Sequence, residues 1–166
     1  MRYQLTIDLL HHLDSKGSLG IGSADEKTTA ILENLAIPID LKRLLQWYWT
    51  TSGGQVGPYV LCSVNEIPAI HDYDQLLKYK MIPIGDAANG DILVIRFVDE
   101  DCAVGLVSHD QLWEGESDPV QAYAEVTPWI DEYLWRVAEL RSLPIDFYAA
   151  SELVELRKNI SESKTL

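Results

Sequence analysis

Three adjacent residues, Ser108, His109 and Asp110, carry the side chains that a nucleophile, a general base and an orienting acid require. Triad catalysis needs these groups in a line, with the imidazole between the hydroxyl and the carboxylate. Neighbouring residues at the end of a strand point to alternate faces of the sheet, so these three cannot form that line. The sequence therefore favours a strand-end cap here, and we predict that the protein is not an enzyme.

Metal ligands are the second kind of chemistry to consider. Residues 86–91 resemble a calcium loop, but the alternating oxygen ligands are absent and Phe97 stands where the bidentate Glu should be. A turn is the better interpretation of this segment. His11, His12 and His71 have no partner at ligand spacing. We expect no metal ion and no other cofactor.

The cysteines and glycines indicate no further chemistry. Cys62 and Cys102 are the only cysteines, and both fall in apolar runs typical of small core residues. Without a disulfide framework, a reducing cytoplasmic location is the expectation. Gly17, Gly20 and Gly22 form no phosphate-binding loop, because no Gly-Lys-Ser/Thr follows them.

Charge is the most informative property of the composition. The net charge is −13, and no Lys or Arg occurs between Arg96 and Arg136. Ten acids lie in that interval: Asp99, Glu100, Asp101, Asp110, Glu114, Glu116, Asp118, Glu125, Asp131 and Glu132. Such a field repels nucleic acid and attracts basic proteins. Two interpretations stay open, a surface that faces a basic partner and a surface that only confers solubility.

The segment 81–110 should position these acids. It contains β-branched apolar runs bounded by Gly, Asn and Asp, and Asn89-Gly90 is a strong turn signal. We predict that residues 58–64, 81–86, 91–98 and 102–109 form one antiparallel sheet. The fold class is then α+β, with an antiparallel sheet of about four to six strands and helices packed on one side.

Two helices are predicted before the sheet, after a short amphipathic helix within residues 1–13. Ser23 and Glu26 form a capping box that starts a helix ending near Leu35. Asp40 is the expected N-cap of the next helix, which should end at Gly53-Gly54. Its apolar face combines Leu41, Leu44, Leu45 and Tyr48, with Trp47 and Trp49 at the edges of that face.

After the antiparallel meander predicted over residues 81–110 we expect an acidic loop over residues 111–119 that carries Trp113, and then an edge strand over 123–126. Thr127-Pro128 should begin a helix, and residues 147–157 should form the last one. Residues 1–158 are interpreted as a single domain with a frayed tail at 159–166. No apolar run is long enough to span a membrane, and no signal peptide is evident at the N-terminus.

Several of these segments resemble the SUKH superfamily, the domains similar to the yeast cell-wall assembly regulator. Residues 31–54 (ILENLAIPIDLKRLLQWYWTTSGG) resemble its N-terminal signature of a helix, a Pro-x-Asp entry, an aromatic helix and a Gly pair. Residues 82–95 and 104–110 resemble its central strands, and 123–134 its closing strand and helix. The resemblance covers residues 24–140 and does not include the helix at 147–157. The family usually has Asn before the Gly pair, where this chain has Thr51-Ser52.

The resemblance implies a protein-binding role, since bacterial members are mostly immunity proteins that neutralise polymorphic toxins, often nucleases. Our first hypothesis is an immunity protein that blocks a basic toxin domain. The alternative is an intracellular signalling or assembly scaffold with no toxin partner. Charge complementarity and an exposed aromatic side chain would supply the contacts. The predicted partner-binding residues are Asp99, Glu100, Asp101, Trp113, Glu114, Glu116 and Asp118.

Overall fold

A computed structural model describes residues 3, 6–7, 10–11, 14, 17–56, 59–113 and 118–127. The helices are α1 (Glu26–Glu33), α2 (Ile39–Trp47), α3 (Tyr73–Lys78) and α4 (His109–Trp113), with a 3₁₀ helix at Val64–Ala69. The strands are β1 (Ile21–Gly22), β2 (Trp49–Thr50), β3 (Gly54–Val56), β4 (Tyr59–Leu61), β5 (Met81–Ala87), β6 (Ile92–Val98), β7 (Asp101–Val107) and β8 (Tyr123–Thr127).

Strands β3 to β8 form a six-stranded antiparallel sheet in which each strand pairs with its neighbours along the chain. Strands β1 and β2 form a separate two-stranded sheet. The predicted α+β class and the predicted antiparallel pairing of the four central segments are both confirmed. The expected edge strand is also present, since among the strands that the structure describes β8 pairs with β7 alone.

The turn between β5 and β6 lies where the Asn-Gly signal placed it. The N–H of Gly90 donates to the oxygen of Ala87 at 3.0 Å, and the N–H of Ala87 donates to the oxygen of Asp91 at 2.8 Å. Gly90 alone of the turn residues takes a positive φ, at 90°. This pattern is that of a three-residue hairpin loop closed by a left-handed glycine.

Both faces of β6 are buried, which explains its unbroken apolar sequence. Leu93 and Ile95 point into the main core, which includes the leucines of α1 and α2. That core places α1 and α2 on one face of the sheet, as predicted. Ile92 and Val94 point to the other face and a smaller apolar cluster, which also contains Leu76, Met81, Val107, Ala122 and the partly buried Leu112.

The predicted N-caps of the first two helices are each wrong by two residues. Asp25, not Ser23, caps α1, since its carboxylate accepts the N–H of Thr28 at 2.7 Å. The backbone N–H groups of Ala24 and Asp25 donate to neighbouring elements, so the helical path begins only after them. Helix α2 begins at Ile39 after Pro38 without a side-chain cap, and Asp40 lies in its first turn.

The predicted end of α2 is also wrong. The helix stops at Trp47, and Trp49 is a buried residue of β2 rather than a residue at the edge of the helix. Tertiary pairing of β2 with β1 overrides the helical pattern. The Gly pair instead turns the chain into β3, with Gly53 at a φ of 69°. A methyl group at Gly53 would lie 2.9 Å from the carbonyl oxygen of Leu61, so this part of the signature has a structural role.

The segment after β7 is helical where a strand end and a loop were expected. Strand β7 ends at Val107, and α4 occupies the first part of the predicted loop 111–119. Ser108 acts as its cap, because its hydroxyl accepts the N–H of Gln111 at 3.5 Å. Thr127, the predicted N-cap of the next helix, is the last residue of β8. The helix predicted to follow it and the helix predicted at 147–157 lie outside the described residues. Within 1–13, the N–H of Ile7 donates to the oxygen of Tyr3, as in a helix.

Candidate partner-binding surface

The acidic trio predicted to meet a partner lies at the tip of the β6–β7 hairpin. Val98 pairs with Asp101 across this hairpin, so Asp99 and Glu100 form its two-residue turn. All three acids are exposed. Asp99 adopts a left-handed φ of 52°, which Asp tolerates better than most residues. Two paired strands thus hold a compact group of carboxylates at one end of the sheet.

An apolar side chain stands next to these carboxylates. Val98, the last residue of β6, is 53% exposed. Apolar groups that become desolvated supply much of the binding energy at protein interfaces, while charges at the rim control association rate and specificity. The hairpin tip offers both kinds of contact within four consecutive residues, 98–101. We call these residues the hairpin tip.

Lys80 lies beside the hairpin tip. The sequence did not suggest this neighbour, because no Lys or Arg occurs between Arg96 and Arg136. Its carbonyl oxygen accepts the N–H of Phe97 at 3.0 Å, and the next residue, Met81, pairs with Arg96. Lys80 is exposed and has a positive φ of 62°. The backbone of Lys80 therefore lies at the same end of the sheet as Asp99.

Asp118 lies at the opposite end of β7 from the hairpin tip. The N–H of Ser108, just after β7, donates to the oxygen of Ala122 at 2.9 Å. Asp118 caps the turn that leads to Ala122, because its carboxylate accepts the N–H of Gln121. Seven-residue β7 separates the two places by roughly 20 Å. Trp113 is the last residue of α4, and Glu114 and Glu116 lie outside the described residues.

The residues that resembled a triad form a different cluster. His109 Nδ1 lies 3.1 Å from Asp91 Oδ1, and Nε2 lies 3.0 Å from Asp110 Oδ1. Asp110 reaches the ring because both residues belong to α4, not to a strand as the sequence suggested. Each ring nitrogen faces a carboxylate, and Ser108 caps the helix instead of meeting the imidazole. The arrangement offers no activated hydroxyl.

The cysteines are not in a disulfide. Cys102 is buried in the main core as expected, whereas Cys62 is half-buried. Desolvation by burial raises the pKa of Cys62 to about 12, and the charge of Asp86 adds to this rise. A thiol with such a pKa is a weak nucleophile at neutral pH. Among the described residues, no group of three or more His, Cys, Asp or Glu side chains could hold a metal ion.

An exposed stripe on α2 is a candidate surface that the sequence interpretation missed. Ile39 and Trp47 are 52% and 53% exposed, and Arg43 lies between them at helical spacing. The buried positions Leu41, Leu44 and Leu45 define the opposite face of this helix. The same spacing rule, applied to the outward positions, would have found the stripe. Arg43 pairs with Asp40 at 3.9 Å.

Comparison with family models, with curated proteins and with solved structures finds no match for this chain. The resemblance to the SUKH superfamily thus rests on the sequence segments alone and stays a prediction. No helix among residues 3–127 that the structure describes is long and apolar enough to cross a membrane.

Proposed function

We propose that this protein is a protein-binding domain, namely an immunity protein of the SUKH type that neutralises a basic toxin domain by occlusion. The observation that carries the proposal is the hairpin tip, where exposed carboxylates of residues 99–101 adjoin the exposed side chain of Val98. Carboxylates there would pair with Lys and Arg of the toxin, and Val98 would be desolvated in the contact. A nuclease is a suitable target, since its substrate-binding surface is basic.

The electrostatics of the hairpin tip suit fast association more than high affinity. Charges within about 8 Å of each other repel with little screening at physiological salt, so Asp99, Glu100 and Asp101 repel one another in the free protein. A basic partner relieves this repulsion and is steered toward the tip. Lys80 opposes that steering because it lies beside the turn.

Asp118, at the far end of β7, can belong to the same interface only if the partner spans the sheet. The separation of roughly 20 Å fits within a typical interface, which covers about 800 Å² on each partner. Trp113, Glu114, Glu116 and Asp118 therefore stay in the proposal as a second contact region. The two regions can be tested separately.

The decisive experiment begins with the gene neighbourhood, where we expect a polymorphic-toxin gene, and the toxin domain that it encodes is then co-expressed with this protein. We expect the wild-type protein to restore growth of cells that express the toxin domain. The variant Asp99→Lys/Glu100→Lys/Asp101→Lys should fold normally, slow association with the toxin domain and flatten its dependence on salt. Association is measured by binding kinetics at two salt concentrations, and folding by calorimetric melting.

A matched control separates the local field from the net charge. The variant Glu33→Lys/Glu66→Lys/Glu125→Lys changes net charge equally at exposed positions outside the hairpin tip, and it should associate faster than the tip variant. Lys80→Ala should associate faster than wild type, because it removes the opposing charge. Equal rates for both triple variants would exclude the tip as the contact. Tight binding to an intracellular protein, with no protection against the toxin, would instead favour the scaffold.

A further inference from the structure

The turn between β5 and β6 contains Asn89 followed by Gly90, both exposed. In such a pair the backbone nitrogen of Gly can attack the side-chain amide carbon of Asn, because Gly has no side chain to obstruct the approach. The new C–N bond closes a cyclic imide, and the side-chain nitrogen leaves as ammonia. Water then opens the imide to aspartate or to isoaspartate, which carries an extra methylene in the main chain.

The fold holds both reacting groups in other contacts. The N–H of Gly90 donates to the oxygen of Ala87 at 3.0 Å. The side chain of Asn89 is held at both ends by Asp91: Oδ1 accepts the N–H of Asp91 at 3.1 Å, and Nδ2 donates to Asp91 Oδ2 at 2.9 Å. Ring closure needs a free Gly90 nitrogen and a rotating carboxamide, so these hydrogen bonds must break first.

Asp91 is itself fixed by the helix that follows β7. Its Oδ1 accepts the backbone N–H of His109 at 3.3 Å and lies 3.1 Å from the ring nitrogen Nδ1. The ring of His109 also packs against Gly90, since a methyl group there would lie 3.2 to 3.4 Å from three ring atoms. The contacts form a chain from α4 through Asp91 to Asn89.

We propose that Asn89 is a latent deamidation site and that Asp91, held by His109, is the positioning residue that protects it. Opening of this turn releases both reacting groups from their hydrogen bonds, and the isoaspartate product then lengthens the β5–β6 loop by one main-chain atom. That change disrupts the hydrogen bond that closes the loop between Ala87 and Asp91. The fraction of deamidated protein therefore increases with the frequency at which this end of the sheet opens.

The test follows deamidation of the purified full chain at neutral pH by peptide mass spectrometry, with isoaspartate measured by methyltransferase labelling. Wild-type protein should react at least about tenfold more slowly when folded than in concentrated urea, which corresponds to about 1.4 kcal/mol. Asp91→Ala should recover most of that rate while folded. Asp110→Ala is the matched control: it removes a carboxylate that contacts His109 but is not bonded to Asn89. It should leave the rate unchanged.

Two internal references accompany these rates. Asn34 and Asn65 precede Leu and Glu, which obstruct the attack, and they should stay unmodified in every variant. Hydrogen exchange at the Gly90 amide gives an independent measure in the wild-type protein, should Asp91→Ala fail to fold. The proposal is overturned if folded and unfolded wild type deamidate equally fast, if folded Asp91→Ala reacts no faster than wild type, or if the Gly90 amide exchanges without protection.

Discussion

The absence of a side chain at Gly105 in β7 allows β8 to pack against the sheet. Substitution of Gly105 therefore tests the packing on the face of the sheet that contains Ile92 and Val94. A methyl group at Gly105 would overlap the ring of Tyr123 and lie 2.7 Å from the carbonyl oxygen of Ala124. The guanidinium of Arg96 lies over the same ring, 5.0 Å from its centroid. Because Gly105 has no side chain, the ring of Tyr123 fits against β7, and the guanidinium of Arg96 lies over that ring.

The expected cost of Gly105→Ala has three contributions. Overpacking costs about 1–3 kcal/mol where side chains and backbone must shift. Displacement of the Tyr123 ring also weakens the contact with Arg96 by about 0.5–1 kcal/mol. The reduced entropy of the unfolded chain offsets about 0.4–1 kcal/mol. We expect a net loss of about 1–3 kcal/mol, equivalent to a fall of about 2–12 °C in Tm for a chain of this size.

Urea unfolding at 25 °C measures this loss, and Gly22→Ala is the matched control. Gly22 also lies in a strand at an ordinary φ, but the nearest atoms to an added methyl group are 3.9 Å away. The control should be as stable as wild type or slightly more stable. If Gly105→Ala is as stable as Gly22→Ala, the ring of Tyr123 does not lie over Gly105, and the derived packing of β8 is wrong.

Three further changes have expected outcomes. Burial desolvates the Asp14 carboxylate and raises its pKa, but hydrogen bonds from the N–H groups of Ile21, Leu19 and Gly20 outweigh this, so the pKa is lowered overall. Asp14→Asn should therefore lose about 1 kcal/mol at pH 7, since solvent partly screens these hydrogen bonds. Urea titrations should show the difference shrinking below about pH 4, where the carboxylate of the unfolded chain protonates first and that of the folded chain protonates at lower pH. Lys80→Gly should be about 0.5–1 kcal/mol more stable in the same assay. The left-handed conformation of Lys80 costs a non-glycine residue about 1–2 kcal/mol, and the larger entropy that glycine loses on folding offsets part of the gain. Leu44→Ala removes a fully buried side chain from the main core and should cost about 2–5 kcal/mol, and a loss below 1 kcal/mol would contradict its burial.

The meander could be predicted from the sequence because its signals are local. The turn at Asn89-Gly90 and the acidic turn after Val98 each separate β-branched runs, and consecutive antiparallel pairing needs no other information. The ends of the helices could not be predicted in the same way. Trp49 continues the helical pattern of α2, yet its burial and its pairing with β1 decide its conformation, and both depend on distant residues.

The electrostatic field of the candidate surface also depends on residues that are distant in the sequence. Along the chain, ten acids and no Lys or Arg lie between Arg96 and Arg136. An antiparallel sheet, however, places each hairpin beside strands from outside the counted interval, and β5 begins next to the end of β6. Lys80 therefore joins the field of Asp99 and Glu100, while Asp118 is carried to the far end of β7. The net field at the hairpin tip depends on strand register as much as on composition. Removing Lys80 and reversing the trio should thus shift association with a basic partner in opposite directions, a result that a purely compositional view of the acidic interval does not predict.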